Sequence, residues 1–258
     1  MRELSFSDVS LRYEAADGTC TQALAGLSLT VSGGQSVALI GPSGCGKSST
    51  LQMAAGLLQP TEGSVRIDGA ELSSPRQRTG LILQDFGLLP WKSVLANAEL
   101  GLKIRGVDKQ ERRARALSAL ELVDLAAFAD KYPGELSGGM QQRLAIARVL
   151  ALDVDLLLMD EPLSALDALL REQLQETLLV LWKEQGYAQV LVTHSIEEAV
   201  FLGQRIVVLS PRPGRIVGIV ENPHMGEDGY RGSEEYFALC TDIRTLLKSG
   251  ARGGGAHA

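Results

Sequence analysis

Gly41-Pro42-Ser43-Gly44-Cys45-Gly46-Lys47-Ser48 is the stretch on which the fold turns. It has the form G-x-x-x-x-G-K-[ST]. The apolar run Val37-Ala38-Leu39-Ile40 precedes it, and Lys47 to about Ala55 reads as a helix. A continuous apolar run of that kind belongs to a strand buried on both faces. A strand, a glycine-rich turn and a helix are the context that the motif requires. Glycines let successive backbone N–H groups converge on phosphate oxygens, and the helix N-terminus adds a favourable dipole. Lys47 is placed to reach the outer phosphates and Ser48 to offer its hydroxyl to Mg2+, with Ser49 beside them. The bland alternative is a glycine-rich turn that binds nothing.

Working outward, Gly33-Gly34 turns the chain into Val37. Ahead of that turn, Leu4 to Phe6, Val9-Leu11-Tyr13 and Leu24 to Val31 read as antiparallel strands at a sheet edge. Val65 and Ile67 alternate between Gly63 and Gly69, and Leu81-Ile82-Leu83 gives another strand. From about residue 86 to 152 strand-like runs vanish, and helical spacing such as Leu117, Leu120 and Leu122-Val123 predicts an inserted, mostly helical subdomain. Strands resume at Leu156 to Met159 and Val190 to Val192. The helix between them carries Leu170, Leu174, Leu178 and Leu181 on one face and stops at Gly186. Ile206 to Leu209 and Ile216 to Val220 bracket Ser210-Pro211-Arg212-Pro213-Gly214-Arg215. Tyr236, Cys240, Ile243 and Leu247 have helical spacing, and Gly253-Gly254-Gly255 reads as a disordered tail.

Three further segments carry chemistry. Leu156-Leu157-Leu158-Met159-Asp160-Glu161 is a buried strand ending in two acids. Asp160 then stands at the carboxyl edge of the sheet, where ligands collect. It would hold Mg2+, while Glu161 either polarises a water for in-line attack or caps the next segment. His194 ends the strand Val190 to Thr193, and Ser195 with Glu198 has a capping-box pattern. That places the histidine on the edge that bears the phosphate loop. Leu136-Ser137-Gly138-Gly139-Met140-Gln141-Gln142-Arg143 is a second glycine-containing anion site, opening a helix to about Ala151 with Ser137 as N-cap. One nucleotide has no obvious need for two such sites on one chain, so the second is expected to serve a nucleotide held by another subunit.

Together these segments resemble the nucleotide-binding subunit of an ATP-binding cassette (ABC) transporter, over roughly residues 4 to 220. The resemblance implies an α/β fold: a P-loop NTPase (RecA-like) core with a mostly parallel sheet, an N-terminal antiparallel β subdomain and the inserted helical subdomain. It divides the chain into a nucleotide-binding core (1–85 and 153–222), a helical signature subdomain (86–152), and a C-terminal helix with a disordered tail (223–258). Ser137, Gly138 and Gly139 are similar to the signature that contacts the γ-phosphate across a head-to-tail dimer, either a homodimer or a pair with a closely related second ATPase subunit. Gln84 matches the glutamine that senses Mg2+ and the attacking water. Ser164-Ala165-Leu166-Asp167 resembles the loop that crosses the dimer interface, His194 the switch histidine, and Tyr13 the aromatic that stacks on adenine. Tyr13 is equally ordinary packing for an edge strand. Met140 departs from the family, whose commonest signature has glutamine there.

The same resemblance implies that ATP and Mg2+ are the cofactors and that the chain is peripheral on the inner face of the cell membrane. Gln84 to Trp91 would receive a short helix from a membrane permease, itself fed by a solute-binding protein. Leu88 and Trp91 are alternatively part of the helical core. Leu88-Leu89-Pro90-Trp91 and the 210–215 segment look most like ATPases of nitrate, sulfonate and taurine importers.

Composition excludes less than position does. The chain has 258 residues, 45% hydrophobic and 22% charged, which fits a globular protein and not a disordered one. A net charge of −6 speaks against a duplex nucleic-acid binder. Cys20, Cys45 and Cys240 are an odd, scattered set, as expected in a reducing compartment. No 18-residue apolar run is present, and Glu3, Ser5, Ser7 and Asp8 interrupt any leader-like stretch, so the chain reads as soluble and cytoplasmic. Cys45 lies near Lys47 and a helix N-terminus, a setting that favours thiolate. Its alkylation is expected to block ATP binding sterically, while Cys45→Ser stays active. Arg112, Arg113 and Arg115 read as a solvated face. Two other functions compete with an importer ATPase. A cytosolic ABC ATPase of assembly or repair would be expected to carry a second cassette or extra modules, which are lacking. A small-molecule kinase leaves Ser137 to Gly139 and His194 unexplained.

Overall fold

The computed structural model describes residues 1–15 and 18–253. β1 (Glu3–Glu14) and β2 (Cys20–Ser32) pair antiparallel. β3 (Ser36–Ile40) leads through the phosphate loop into α1 (Lys47–Ala54). β4 (Glu62–Ile67) and β5 (Ala70–Glu71) rejoin the first two strands in a sheet of order β2-β1-β4-β5. β6 (Thr79–Ile82) is followed by α2 (Val94–Ala98), α3 (Leu100–Ile104), α4 (Lys109–Glu121) and α5 (Gly138–Leu150). Then come β7 (Leu156–Asp160), α6 (Ala168–Gln185), β8 (Ala188–Thr193) and α7 (Ile196–Leu202). β9 (Arg205–Leu209), β10 (Ile216–Glu221) and α8 (Glu234–Gly253) close the chain.

The second sheet has the order β10-β9-β3-β8-β7-β6 and is parallel except where β10 meets β9. Every residue of β3, β7 and β8 is buried, as their apolar runs require. Side chains alternate across a strand, so these runs feed two cores. Ala38, Ile40, Leu157 and Met159 join α2, α4, α5 and α6 on one face. Val37, Leu39, Leu156 and Leu158 join α1 and the antiparallel sheet on the other. The fold class is therefore as expected, with one difference at the N-terminus. The antiparallel strands do not border the parallel sheet; they form a sheet of their own, stacked across the second core. Leu4–Phe6 and Val9–Tyr13 are a single strand whose register slips between Phe6 and Val9, at Asp8 with φ 49°. The slip restores inward pointing, so both Phe6 and Val9 are buried.

Helix ends follow the local chemistry. Asp108, Ser137, Asp167 and Ser195 each accept a backbone N–H as N-cap, and α6 ends on Gly186 in the left-handed region. The capping box at Ser195 is only half formed, because the Glu198 carboxylate turns instead to the Thr193 hydroxyl. The arginine run of α4 is not a plain solvated face. Arg112 pairs with Glu99 at 3.5 Å, and Arg115 donates to the Ala151 carbonyl at 2.9 Å, tying α4 to its neighbours; Arg113 is exposed. The backbone of α8 runs on through Gly253, since a glycine costs a helix little at its frayed end; Gly254 and Gly255 lie outside the described residues. Among the described residues no helix is long and apolar enough to cross a membrane.

Strand register sets up the site. Ile40 is opposite Thr193, and Asp160 is opposite Val192, so β3, β7 and β8 end level with one another. The residues just beyond them, Gly41, Glu161 and His194, emerge on one carboxyl edge.

Candidate active site

The phosphate loop is shaped by backbone constraint. Gly46 has φ 94° and packs so closely on β2 that a Cβ would lie 2.6 Å from the Leu24 side chain. Only glycine fits there, and it caps the start of α1. Lys47 is buried, and its ammonium donates to the carbonyls of Gly41 at 2.8 Å and Pro42 at 3.0 Å. These two carbonyls hold the charge inside the loop.

A cavity of about 480 Å3 opens over this loop. Ser43, Gly44, Gly46, Lys47, Ser48 and Ser49 form its floor. Tyr13 stands at one end, half exposed, with its hydroxyl 2.9 Å from that of Ser49. Gln84 and Glu161 close the other end. Gly41 and Pro42 do not line the cavity; their carbonyls accept from Lys47 beneath it. Cys45 faces away: its thiol is fully buried in the core beneath the antiparallel sheet. Burial pushes that thiol above its ordinary pKa, and Lys47 only partly offsets this. The thiolate expectation is therefore wrong, because desolvation outweighs the nearby cation. Alkylating reagents have no open path to the buried sulfur.

Asp160 is 7% exposed and its Oδ1 has no hydrogen-bond partner. Burial raises its carboxyl pKa, the Ser48 hydroxyl draws it down, Glu161 raises it and Lys47 lowers it. An orphaned buried carboxylate oxygen beside a serine hydroxyl is a hard-oxygen donor set of the kind Mg2+ takes up together with substrate phosphates. Residues and ion therefore fit.

Glu161 adopts φ 48°, which costs a non-glycine residue about 1–3 kcal/mol and is held only by surrounding structure. Hydrogen bonds to its backbone hold it, among them one from the Ser164 N–H to its carbonyl at 3.3 Å. Its N–H donates to the Val192 carbonyl at 2.9 Å, and its own carbonyl accepts from Gln142 Nε2 at 3.2 Å and Ser164 Oγ at 3.1 Å. The carboxylate is thereby aimed at Gln84, whose Nε2 donates to its Oε2 at 3.4 Å, and at His194, whose Nδ1 lies 3.3 Å from the same oxygen. Of the two readings of Glu161, the cap is the weaker: this carboxylate faces the cavity.

Sequence reasoning missed two buried residues here. Gln142 is 1% exposed and also accepts the Ala165 N–H at 3.0 Å, so it joins α5 to the turn after β7. Its place in the second glycine segment masked that role. Glu198 is fully enclosed, bonded to the Thr193 hydroxyl next to His194, in a small pocket of about 70 Å3 shared with Glu161 and Arg171. Burial pushes its carboxyl up to about 7; Thr193, Arg171 and His194 act against this, and Glu161 with it. A folded-state pKa above the ordinary value means that protonated Glu198 stabilises the fold at low pH, and that this contribution is lost as pH rises through about 7. Glu198→Gln is therefore expected to flatten the fall in melting temperature between about pH 5 and pH 8, with the variant relatively more stable at the alkaline end. Parallel wild-type and variant curves in calorimetry would refute this.

Ser137, Gly138, Gly139 and Asp167 do not reach the cavity. Ser137 and Asp167 cap their helices, at 3.3 Å from the Met140 N–H and 3.1 Å from the Leu170 N–H. Ser137, Gly138, Ser164, Ala165 and Asp167 are all exposed, and Leu169 beside them is 76% exposed. Trp91 is 71% exposed and does not belong to the helical core, whereas Leu88 packs on it. Asn97 stitches the loop, accepting the Leu89 N–H and donating to the Leu89, Lys92 and Ser93 carbonyls.

Comparison with known proteins follows the same lines. A family model described as ABC transporter matches residues 24–164. The taurine import ATP-binding protein TauB of Burkholderia thailandensis is 48% identical over 217 residues, 84% of this chain and 83% of that protein. TauB of Rhizobium johnstonii is 43% identical over 253 residues, 95% of this chain and 97% of that protein. The dimeric structure of MJ0796, a bacterial ABC transporter cassette, superposes with TM-score 0.79 at 34% identity, covering 84% of this chain and 98% of that one. A dimeric post-hydrolysis state of MJ0796 bound to ADP and Pi gives 0.78.

Proposed function

This chain belongs to the ABC transporter family and is an ATPase of that kind, and on that premise we propose that it is the energy-coupling subunit of an importer for a small sulfonate-like anion. Two copies bind two ATP head to tail and drive membrane permease subunits from the inner face of the membrane. The observation that carries this reading is the division of the site. Phosphate loop, Glu161 and Gln84 line one cavity, while Ser137, Gly138 and Asp167 lie exposed, and Gly139 half-buried, elsewhere on the same chain. The two sets complete each other only between copies. The boundaries follow that division: a nucleotide-binding core of residues 1–85 and 153–222, a signature subdomain of 86–152, and a C-terminal unit from 223 whose helix packs through Tyr236, Cys240 and Ile243. Trp91 and the neighbouring exposed loop are the permease contact: the ring is 71% exposed on a loop that Asn97 ties down.

In hydrolysis, the loop N–H groups and Lys47 hold the β- and γ-phosphates, and Tyr13 stacks on the base. Ser48 and Asp160, with Gln84, would hold Mg2+, which would supply charge neutralisation on the phosphates. Glu161 accepts a proton from the attacking water, which Gln84 orients. His194 holds the Glu161 carboxylate in line and meets the γ-phosphate. The import names of the relatives favour transport over an assembly or repair role. The test is ATPase activity of the complex co-purified with its permease and reconstituted with its binding protein. Stimulation by taurine or another sulfonate, but not by nitrate or a thiamine-precursor pyrimidine, is the expected result. Failure to co-purify with any multispanning partner would remove the importer reading.

A further inference from the structure

The turn Ser210 to Arg215, between β9 and β10, has no part in the machinery above, yet it is built into the site from two sides. The Gly214 N–H donates to the Ala23 carbonyl at 2.8 Å, and its carbonyl accepts the Ala25 N–H at 3.1 Å, so the turn bridges to β2. On the other side its backbone lies against the phosphate loop: a Cβ on Gly214 would come 2.0 Å from the Cys45 carbonyl, a contact that only glycine permits. The Ser210 hydroxyl closes the turn, accepting the Arg215 N–H at 3.1 Å and donating to the Pro213 carbonyl at 3.1 Å.

This anchored turn presents Arg212. Its Nε donates to the Gly44 carbonyl at 3.1 Å, and its guanidinium lines the cavity with Tyr13, Ser43 and Lys47. A guanidinium has five donors, and the others make no hydrogen bond to the described residues. A cation with free donors therefore stands on the rim of an anion site, fixed by a turn that tolerates little movement. The bond to Gly44 matters as well. A carbonyl oxygen turned into a phosphate cradle repels its ligand, and Arg212 engages that oxygen.

We propose that Arg212 is a nucleotide-binding residue of this ATPase, its guanidinium contacting the phosphate chain while it holds the Gly44 carbonyl out of the cradle. The inference rests on the ATP site proposed above. Planar, multiply donating recognition of phosphate is what arginine does better than lysine. The contact is with phosphate rather than base, so it is indifferent to the nucleobase.

The experiment measures ATP and GTP affinity of the full chain by calorimetry, for wild type, Arg212→Gln and Arg212→Lys, over a range of salt. Loss of one charge-assisted contact predicts about tenfold weaker binding of both nucleotides by Arg212→Gln, a smaller loss in Arg212→Lys, and a shallower salt dependence in the neutral variant. Melting temperature without nucleotide reports whether the variants are folded, and the lysine variant keeps the test open if glutamine disturbs the turn. Wild type that binds neither nucleotide would overturn the ATP site itself. Wild type that binds well while Arg212→Gln binds equally well overturns the role of Arg212 alone. A loss confined to ATP, with GTP unchanged, would mean a base contact and would overturn the phosphate assignment.

Discussion

Glu161→Gln is expected to lower steady-state ATP hydrolysis by about 10²–10⁴-fold, the usual worth of a positioned general base, while ATP binding stays intact. The substitution keeps the shape of the side chain and leaves its backbone position untouched. The left-handed conformation at φ 48° is held by Val192, Gln142 and Ser164 through main-chain groups that glutamine also has. What is lost is the carboxylate that faces Gln84 and His194. In the proposed mechanism the phosphate contacts come from the loop and Lys47 and not from Glu161, so affinity has no reason to fall. A dimer held together by two unhydrolysed nucleotides then has no exit, and the variant should accumulate as a dimer in size exclusion with ATP but not with ADP. Turnover within about threefold of wild type would remove Glu161 from the role of base.

The sequence was most readable where one constraint dominates. β3, β7 and β8 have apolar centres because both faces are covered, so their existence followed from the residues; their ends did not, since Ser36, Asp160 and Ala188-Gln189 extend them beyond the apolar runs. The phosphate loop was readable because glycine, lysine and serine each answer a separate requirement. The antiparallel sheet was only half legible. Its alternating pieces were visible, but the slip at Asp8 that makes them one strand leaves no mark in the pattern, nor does the choice between bordering a sheet and stacking on it. Cys45 misled for a similar reason: proximity to a lysine can be read along the chain, whereas burial is a property of the fold. Gln142 and Glu198 stayed hidden because their partners lie on other elements or are backbone groups. Arg212 was visible as part of a motif, but the motif alone did not say which way its guanidinium points.

Gly138→Asp separates the contribution of one copy from that of two. Within its own chain Gly138 has no reason to be glycine: a Cβ there would meet nothing within 4 Å, and the position is exposed. It opens α5 directly after the Ser137 cap, where an acidic side chain is favoured by the helix dipole. The variant should therefore fold as well as wild type, with equal or slightly higher melting temperature, and bind ATP to its own phosphate loop with unchanged affinity. If the glycine segment faces the γ-phosphate of a nucleotide on the other copy, however, the new carboxylate places like charge against that phosphate. Repulsion of this kind in a closed, poorly solvated contact costs several kcal/mol, enough to reduce hydrolysis by about 10²-fold or more. Added to Glu161→Gln, it should also abolish the ATP-dependent dimer in size exclusion. Full ATPase activity in Gly138→Asp would mean that the segment does not meet a nucleotide across an interface. The division of the site between copies would then have to be abandoned, whatever the fate of Glu161.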